Sequence, residues 1–144
     1  MIYAAYGSNL NKKQFQKRCP DAQFIATGVL TGYKLSFRGN APGYAYLNIE
    51  RTGNKKDKVP VAIFNISEKD EKALDYYEGY PDFYIKETLV VDQKERMTKA
   101  TVYIMTDGYE KSVPSMKYFN TCLQGYKDYG FKTYGLYYAL GKGF

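Results

Sequence analysis

Apolar and aromatic residues fill positions 1–6, Gly7-Ser8-Asn9 interrupts them, and Leu10 to Arg18 sets Phe15 among Lys and Gln in helix-compatible order. This pattern predicts a strand, a tight turn and a helix capped by Ser8 or Asn9. From Ala22 to Phe37 apolar residues alternate at Phe24, Val29, Leu35 and Phe37, broken by Gly28 and Gly32, as in a bent strand or a strand pair. Gly39 to Gly43 reads as a turn, Tyr44 to Glu50 as a strand, and Gly53 to Lys58 as a polar hairpin loop before a strand over Val59 to Ile66.

Ser67 followed by Asp70 fits a capping box with Asp in place of Glu, and Glu68 and Glu71 suit the positive end of a helix running to about Tyr77. Tyr84 to Val91 and Lys99 to Met105 are rich in β-branched and aromatic residues and bracket the charged turn Asp92 to Arg96, which predicts a second hairpin. Pro114 opens a helix through about Tyr126, and a last helical piece covers Tyr134 to Leu140. Strands do not alternate strictly with helices, and neither a repeat nor a linker interrupts the chain. The order implies an α+β fold, one domain over 1–144, with a mixed, mostly antiparallel sheet curled toward a barrel.

Composition narrows the chemistry more than the fold. The 144 residues are 44% hydrophobic and 25% charged, ordinary for a globular chain, and at this length one core can form without staples. Histidine is absent, which removes the Ser-His-Asp triad, the Cys-His pair and His-ligated zinc. Cys19 and Cys122 stand far apart with no CxxC spacing, so reduced thiols are expected and neither metal nor cofactor is implied. No basic leader and no run of about 20 apolar residues is present, so the expectation is a soluble cytoplasmic protein without a membrane span. A net charge of +6 with 17 tyrosines raises nucleic-acid binding as an alternative. The cations are scattered and no RNP-type motif accompanies them, so specific nucleic-acid recognition is not expected.

Two stretches carry candidate chemistry. Tyr6-Gly7-Ser8-Asn9-Leu10 lies at a strand-to-helix turn, where glycine admits close approach and the first helical amides point out unpaired, ready for a carboxylate or an oxyanion. The same residues would equally serve as a plain helix start. In Leu74 to Tyr84, Asp75 and Glu78 stand among aromatic rings. Glu78 falls at a helix C-terminus, where dipole and aromatic surroundings both raise a carboxyl pKa toward that of a general base, unless it is merely a solvated charge before a turn.

Tyr6-Gly7-Ser8-Asn9-Leu10, Arg18-Cys19-Pro20, Leu47-Asn48-Ile49, Leu74-Asp75-x-x-Glu78-Gly79 with Tyr84, and Pro114-Ser115-x-x-Tyr118 followed by Gly125 together resemble the γ-glutamylcyclotransferase-like family, which includes the AIG2-like proteins. The blocks run in family order over nearly the whole chain, and YGSNL at position 6 with LDxxEG at position 74 is a specific pair. The resemblance implies a small mixed β-barrel with flanking helices. It implies a substrate loop of Tyr3, Ala4, Ala5, Tyr6, Gly7, Ser8, Asn9 and Leu10, whose amides hold a γ-glutamyl group, an acid/base role for Glu78, and a pocket lined by Tyr84 and Tyr118. The implied reaction is cyclisation of a small γ-glutamyl amine or peptide to 5-oxoproline, needing no metal or cofactor. A non-catalytic member that binds a small carboxylate or a partner protein is the alternative. The chain departs from the family where Val59-Pro60-Val61-Ala62 replaces Val-x-Gly-Val. The acceptor side of the pocket matches no motif, which leaves the amine half of the substrate open, as it does the oligomeric state.

Overall fold

Strand β1 (Ile2–Ala5) is buried at the centre of the molecule, antiparallel to β5 (Lys58–Asn65) and parallel to β7 (Arg96–Met105) at Tyr3–Thr101. A computed structural model describes residues 1–141; residues 142–144 of the expected single domain lie outside them. With β2 (Gln23–Thr31) and β6 (Tyr84–Gln93), these strands close a five-stranded barrel in the order β1-β5-β2-β6-β7. The parallel β1–β7 seam is what makes the barrel mixed, and a closed barrel leaves no bare strand edge. β5 reads as a nearly continuous apolar run because β1 and β2 flank it and its side chains are buried along most of its length. Pro60 is tolerated there because β1 pairs only with Ala62–Asn65, so one flank of β5 needs no N–H at Pro60.

A second sheet of three strands, ordered β4-β3-β8, combines β3 (Tyr33–Gly39), β4 (Ala45–Arg51) and β8 (Glu110–Lys111). Two sequence expectations are corrected here. β2 and β3 do not pair with each other, and the Gly53–Lys58 loop does not close a hairpin, because each of these junctions crosses from one sheet to the other. The crossings are tied together: Gly32 donates to the Asp57 carbonyl at 2.8 Å and accepts from the Thr52 amide at 2.7 Å. Alternation along a strand reports which faces are buried and not which strand lies alongside, so the sheet switch left no mark in the pattern. The β6–β7 hairpin forms as expected and extends to the pair Gln93–Arg96.

Helix α1 (Lys12–Arg18) begins one short 3-10 turn (Ser8–Leu10) later than expected, and its cap is Asn11, whose side chain accepts from the Gln14 amide. Ser8 and Asn9 are thereby freed from capping. Helix α2 (Glu68–Glu78) starts on Ser67, whose Oγ accepts from the Asp70 amide at 3.1 Å. The box is half made, because both carboxylate oxygens of the buried Asp70 lack a hydrogen-bond partner among the described residues. Gly79 ends α2 at φ 66°, where a side chain would be strained and would press Phe83 at 3.2 Å. Helix α3 (Met116–Asp128) is capped by Ser115, with Pro114 just outside it, bridging to Gly43 and Tyr44. Helix α4 (Tyr134–Ala139) follows. No helix among the described residues is long and apolar enough to cross a membrane.

Candidate active site

The 3-10 turn at Ser8–Leu10 is held from outside by α3. The Tyr126 hydroxyl donates to the Tyr6 carbonyl at 3.0 Å, the Asn11 side chain donates to the Thr121 carbonyl, and the Lys12 amide donates to Asp128. Within the turn, the Leu10 and Asn11 amides bond to the Gly7 and Ser8 carbonyls. The Gly7, Ser8 and Asn9 amides have no acceptor among the described residues. They border a cavity of about 400 Å³ that also meets Tyr3, Glu78, Tyr84 and Tyr118.

Glu78 is the last residue of α2, and Leu74, fully buried one turn earlier, anchors that helix to the barrel. Its Oε1 accepts from the Asn9 side-chain amide at 3.3 Å, and the same amide donates to the Tyr3 hydroxyl at 2.9 Å. Burial pushes the Glu78 carboxyl up to about 7, while the Arg18 charge and the Asn9 hydrogen bond pull it back. The turn and the glutamate are therefore neighbours in space, 69 residues apart in the chain.

Tyr84 and Tyr118 both reach the cavity, and both are bound to the backbone of one residue. The Tyr84 hydroxyl donates to the Leu47 carbonyl at 2.7 Å, and the Leu47 amide donates to the Tyr118 hydroxyl at 3.0 Å. Tyr84 has thus spent its proton, whereas Tyr118 still has one to offer a ligand. Tyr6 spans the barrel, its hydroxyl on the Tyr103 carbonyl at 2.7 Å. The Ser8 hydroxyl meets that of Tyr77 at 2.8 Å. Of the expected substrate loop, Tyr3, Ala4, Tyr6, Gly7, Ser8 and Asn9 line the cavity, while Ala5 and Leu10 are buried in the core beside it.

Sequence reasoning misses several contributors. Tyr46 and Tyr103 also line the cavity, and of the aromatic rings noted around Glu78, Tyr76, Tyr77 and Phe83 do so without having been marked as site residues. Tyr46 packs edge-on to Phe83 and Tyr118, which makes an aromatic wall facing the turn. Seventeen tyrosines offer no spacing by which to select these. Arg18 stands out in the sequence only as part of a matched block. It stacks over the Tyr77 ring, 3.5 Å from the centroid, and donates to the Asn9 side-chain oxygen. Both cysteines are free and buried, with burial pushing each thiol up to about 12.

Residues 3–120 match the family model described as gamma-glutamyl cyclotransferase, AIG2-like. A human protein named gamma-glutamylcyclotransferase is 28% identical over 139 residues, covering 90% of this chain and 71% of its own. A solved structure named gamma-glutamyl cyclotransferase shares the fold at a TM-score of 0.82 and 23% identity, over 98% of this chain and 86% of that one. The structure of an uncharacterized human protein aligns at a TM-score of 0.80 with 26% identity, over 97% and 86% of the two chains. A barrel with a second sheet, a YGSNL turn facing the glutamate of LDxxEG, and a family match over most of its length lead to one assignment: the chain belongs to the AIG2-like gamma-glutamyl cyclotransferase family.

Proposed function

We propose that this protein cyclises a small γ-glutamyl amine or peptide, releasing 5-oxoproline and the free amine. The observation that carries this reading is Glu78, a partly buried carboxyl raised to about 7 beside a turn whose amides are unclaimed. In such a substrate the α-amine attacks its own γ-carbonyl and closes a five-membered lactam as the C–N bond to the leaving amine breaks. Closing the lactam strips two protons from the α-ammonium, one before attack and one from the nitrogen once it is bonded to the γ-carbon. The departing nitrogen takes up two to leave as an ammonium ion. Glu78 passes them from one nitrogen to the other, so that no proton is gained or lost overall. The free amides of Gly7 to Asn9 and the remaining proton of Tyr118 suit the substrate carboxylate and the oxygen on which charge develops. Folding the substrate for attack contributes heavily, since oriented intramolecular reactions reach effective molarities of about 10⁵–10⁸ M.

The direct test is incubation with a panel of γ-glutamyl-amino acids and γ-glutamyl-amines, scored for 5-oxoproline. Turnover of none of them, with ligands still raising Tm, would mark the protein as a non-catalytic binder.

The loop half of this reading has its own variant. A Cβ at Gly7 would sit at ordinary distances, 3.5 Å from Leu47 Cδ2 and 3.9 Å from the Tyr118 hydroxyl, so a methyl meets no close contact there and a larger side chain projects toward the ligand. Gly7→Val is expected to raise KM at least tenfold, beyond what any fall in Tm explains. Ser8→Ala, which loses only the contact with Tyr77, is expected to be milder. A Gly7→Val protein with parental KM would show that the ligand does not approach this turn.

A further inference from the structure

Asn9 has two polar ends, and only one orientation of its amide serves Glu78. Its oxygen receives the Arg18 guanidinium, which leaves its N–H groups facing the Tyr3 hydroxyl and Glu78 Oε1. Flipped, the amide would turn its oxygen on a carboxylate and its N–H groups on a guanidinium, two repulsive contacts in place of attractive ones. Arg18 is itself braced by its stack on Tyr77 and a 3.4 Å hydrogen bond to Gln14. Tyr77 in turn meets Ser8, so one guanidinium steadies both polar residues of the turn.

We propose that Arg18 is the positioning residue of this site, holding the Asn9 amide toward Glu78. The inference rests on the acid/base reading of Glu78 given above. The groups facing Glu78 come from every element packed on it. Tyr3 belongs to β1 and Tyr6 follows it, Tyr77 shares α2, Tyr84 lies on β6 and Tyr103 on β7, and Tyr118 and Cys122 lie on α3. Burial holds all these hydroxyls and the thiol above their ordinary values, so they stay neutral near pH 7. Arg18 is the cation that pulls Glu78 down, with Asn9 acting in the same direction.

The experiment is a titration of the Glu78 carboxyl by ¹³C NMR on glutamate-labelled protein, the signal assigned by its loss in Glu78→Gln, alongside the pH profile of kcat/KM. In Arg18→Met the carboxyl is expected to titrate at higher pH than in the parent, and the acidic limb of the rate profile moves with it. Activity at pH 6 then falls about tenfold and recovers at higher pH, since each pH unit in the pKa of the base is a factor of ten in its charged fraction. Arg18→Lys, which keeps the charge and a donor for Asn9, is expected to titrate near the parent. Should Arg18→Met not fold, Asn9→Ala reads the same lock and is expected to raise the Glu78 value as well. An unmoved carboxyl in folded Arg18→Met, or in Asn9→Ala where that variant stands in for it, overturns the proposal, as does a shift in Arg18→Lys as large as in Arg18→Met. Absence of turnover in the parent would defeat the cyclotransferase reading while leaving the titration to judge Arg18.

Discussion

Glu78→Gln is expected to lower turnover by about 10²–10⁴-fold or more while leaving a folded protein that still binds a γ-glutamyl ligand. Glutamine preserves the size of the side chain and an oxygen for the Asn9 amide, so what it loses is the group that can take up and return a proton near neutral pH. The change carries a second signature in stability. A carboxyl raised from 4.5 to about 7 holds a proton in the folded state that the unfolded chain has already released, so parental stability falls as pH rises through that window. The loss amounts to about 3 kcal/mol by pH 8 and is absent at pH 4. Glutamine has no such charge to bury, so the variant should melt above the parent at pH 8 and alongside it at pH 4. Asp75→Asn is the control. Asp75 lies behind the cavity, accepting from the Tyr103 hydroxyl at 2.6 Å and from Lys86 at 3.1 Å. Asparagine keeps an acceptor for Tyr103 and gives up the ion pair, which costs about 1 kcal/mol and leaves most of the turnover. Near-parental activity in Glu78→Gln, or its loss in Asp75→Asn alone, would move the base elsewhere.

The placement of this glutamate also shows what a sequence can and cannot disclose. The Ser67 cap, the buried Leu74 and the Gly79 stop are local signals that bound α2, so the residue pattern alone sets Glu78 at the end of a helix. The β6–β7 hairpin is legible for the same reason, its turn and strands being contiguous. What stays hidden is long-range. The Asn9–Glu78 contact joins residues 69 apart, and Leu47 is bound by tyrosines 37 and 71 positions away. Nothing in the spacing of Tyr46, Tyr77 or Tyr103 separates them from tyrosines that only fill space. The expected cap at Ser8 or Asn9 fails for an instructive reason. Asn11 can cap α1 equally well, and using it releases the two polar residues before it to face the cavity. Local propensity cannot choose between three polar residues within four positions, and tertiary contacts do.

Gly125→Ala is expected to be the most damaging single-methyl change near the site, although Gly125 does not itself line the cavity. It lies on the buried face of α3, where a Cβ would stand 2.6 Å from the Asn11 amide nitrogen, 2.6 Å from the Leu10 carbonyl carbon and 2.8 Å from Leu10 Cβ. Two of these are backbone atoms, which cannot rotate away as a side chain can, so either α3 or the 3-10 turn must move. Overpacking of this kind costs about 1–3 kcal/mol. The functional loss should exceed what the stability loss explains, because the displaced turn is the one that sets Gly7, Ser8 and Asn9 against the cavity and aligns Asn9 with Glu78. A 1 Å misplacement of positioning groups lowers turnover by roughly 10²-fold. Gly135→Ala supplies the comparison: it lies in α4, its Cβ would meet nothing closer than Leu35 Cδ1 at 3.8 Å, and alanine there should be neutral or stabilising by up to about 1 kcal/mol. Melting curves and kcat/KM measured on both variants at a temperature where each is fully folded separate the two effects. A folded Gly125→Ala protein with parental kcat/KM would mean that α3 can yield without moving the turn, and that the close approach at Gly125 serves packing alone.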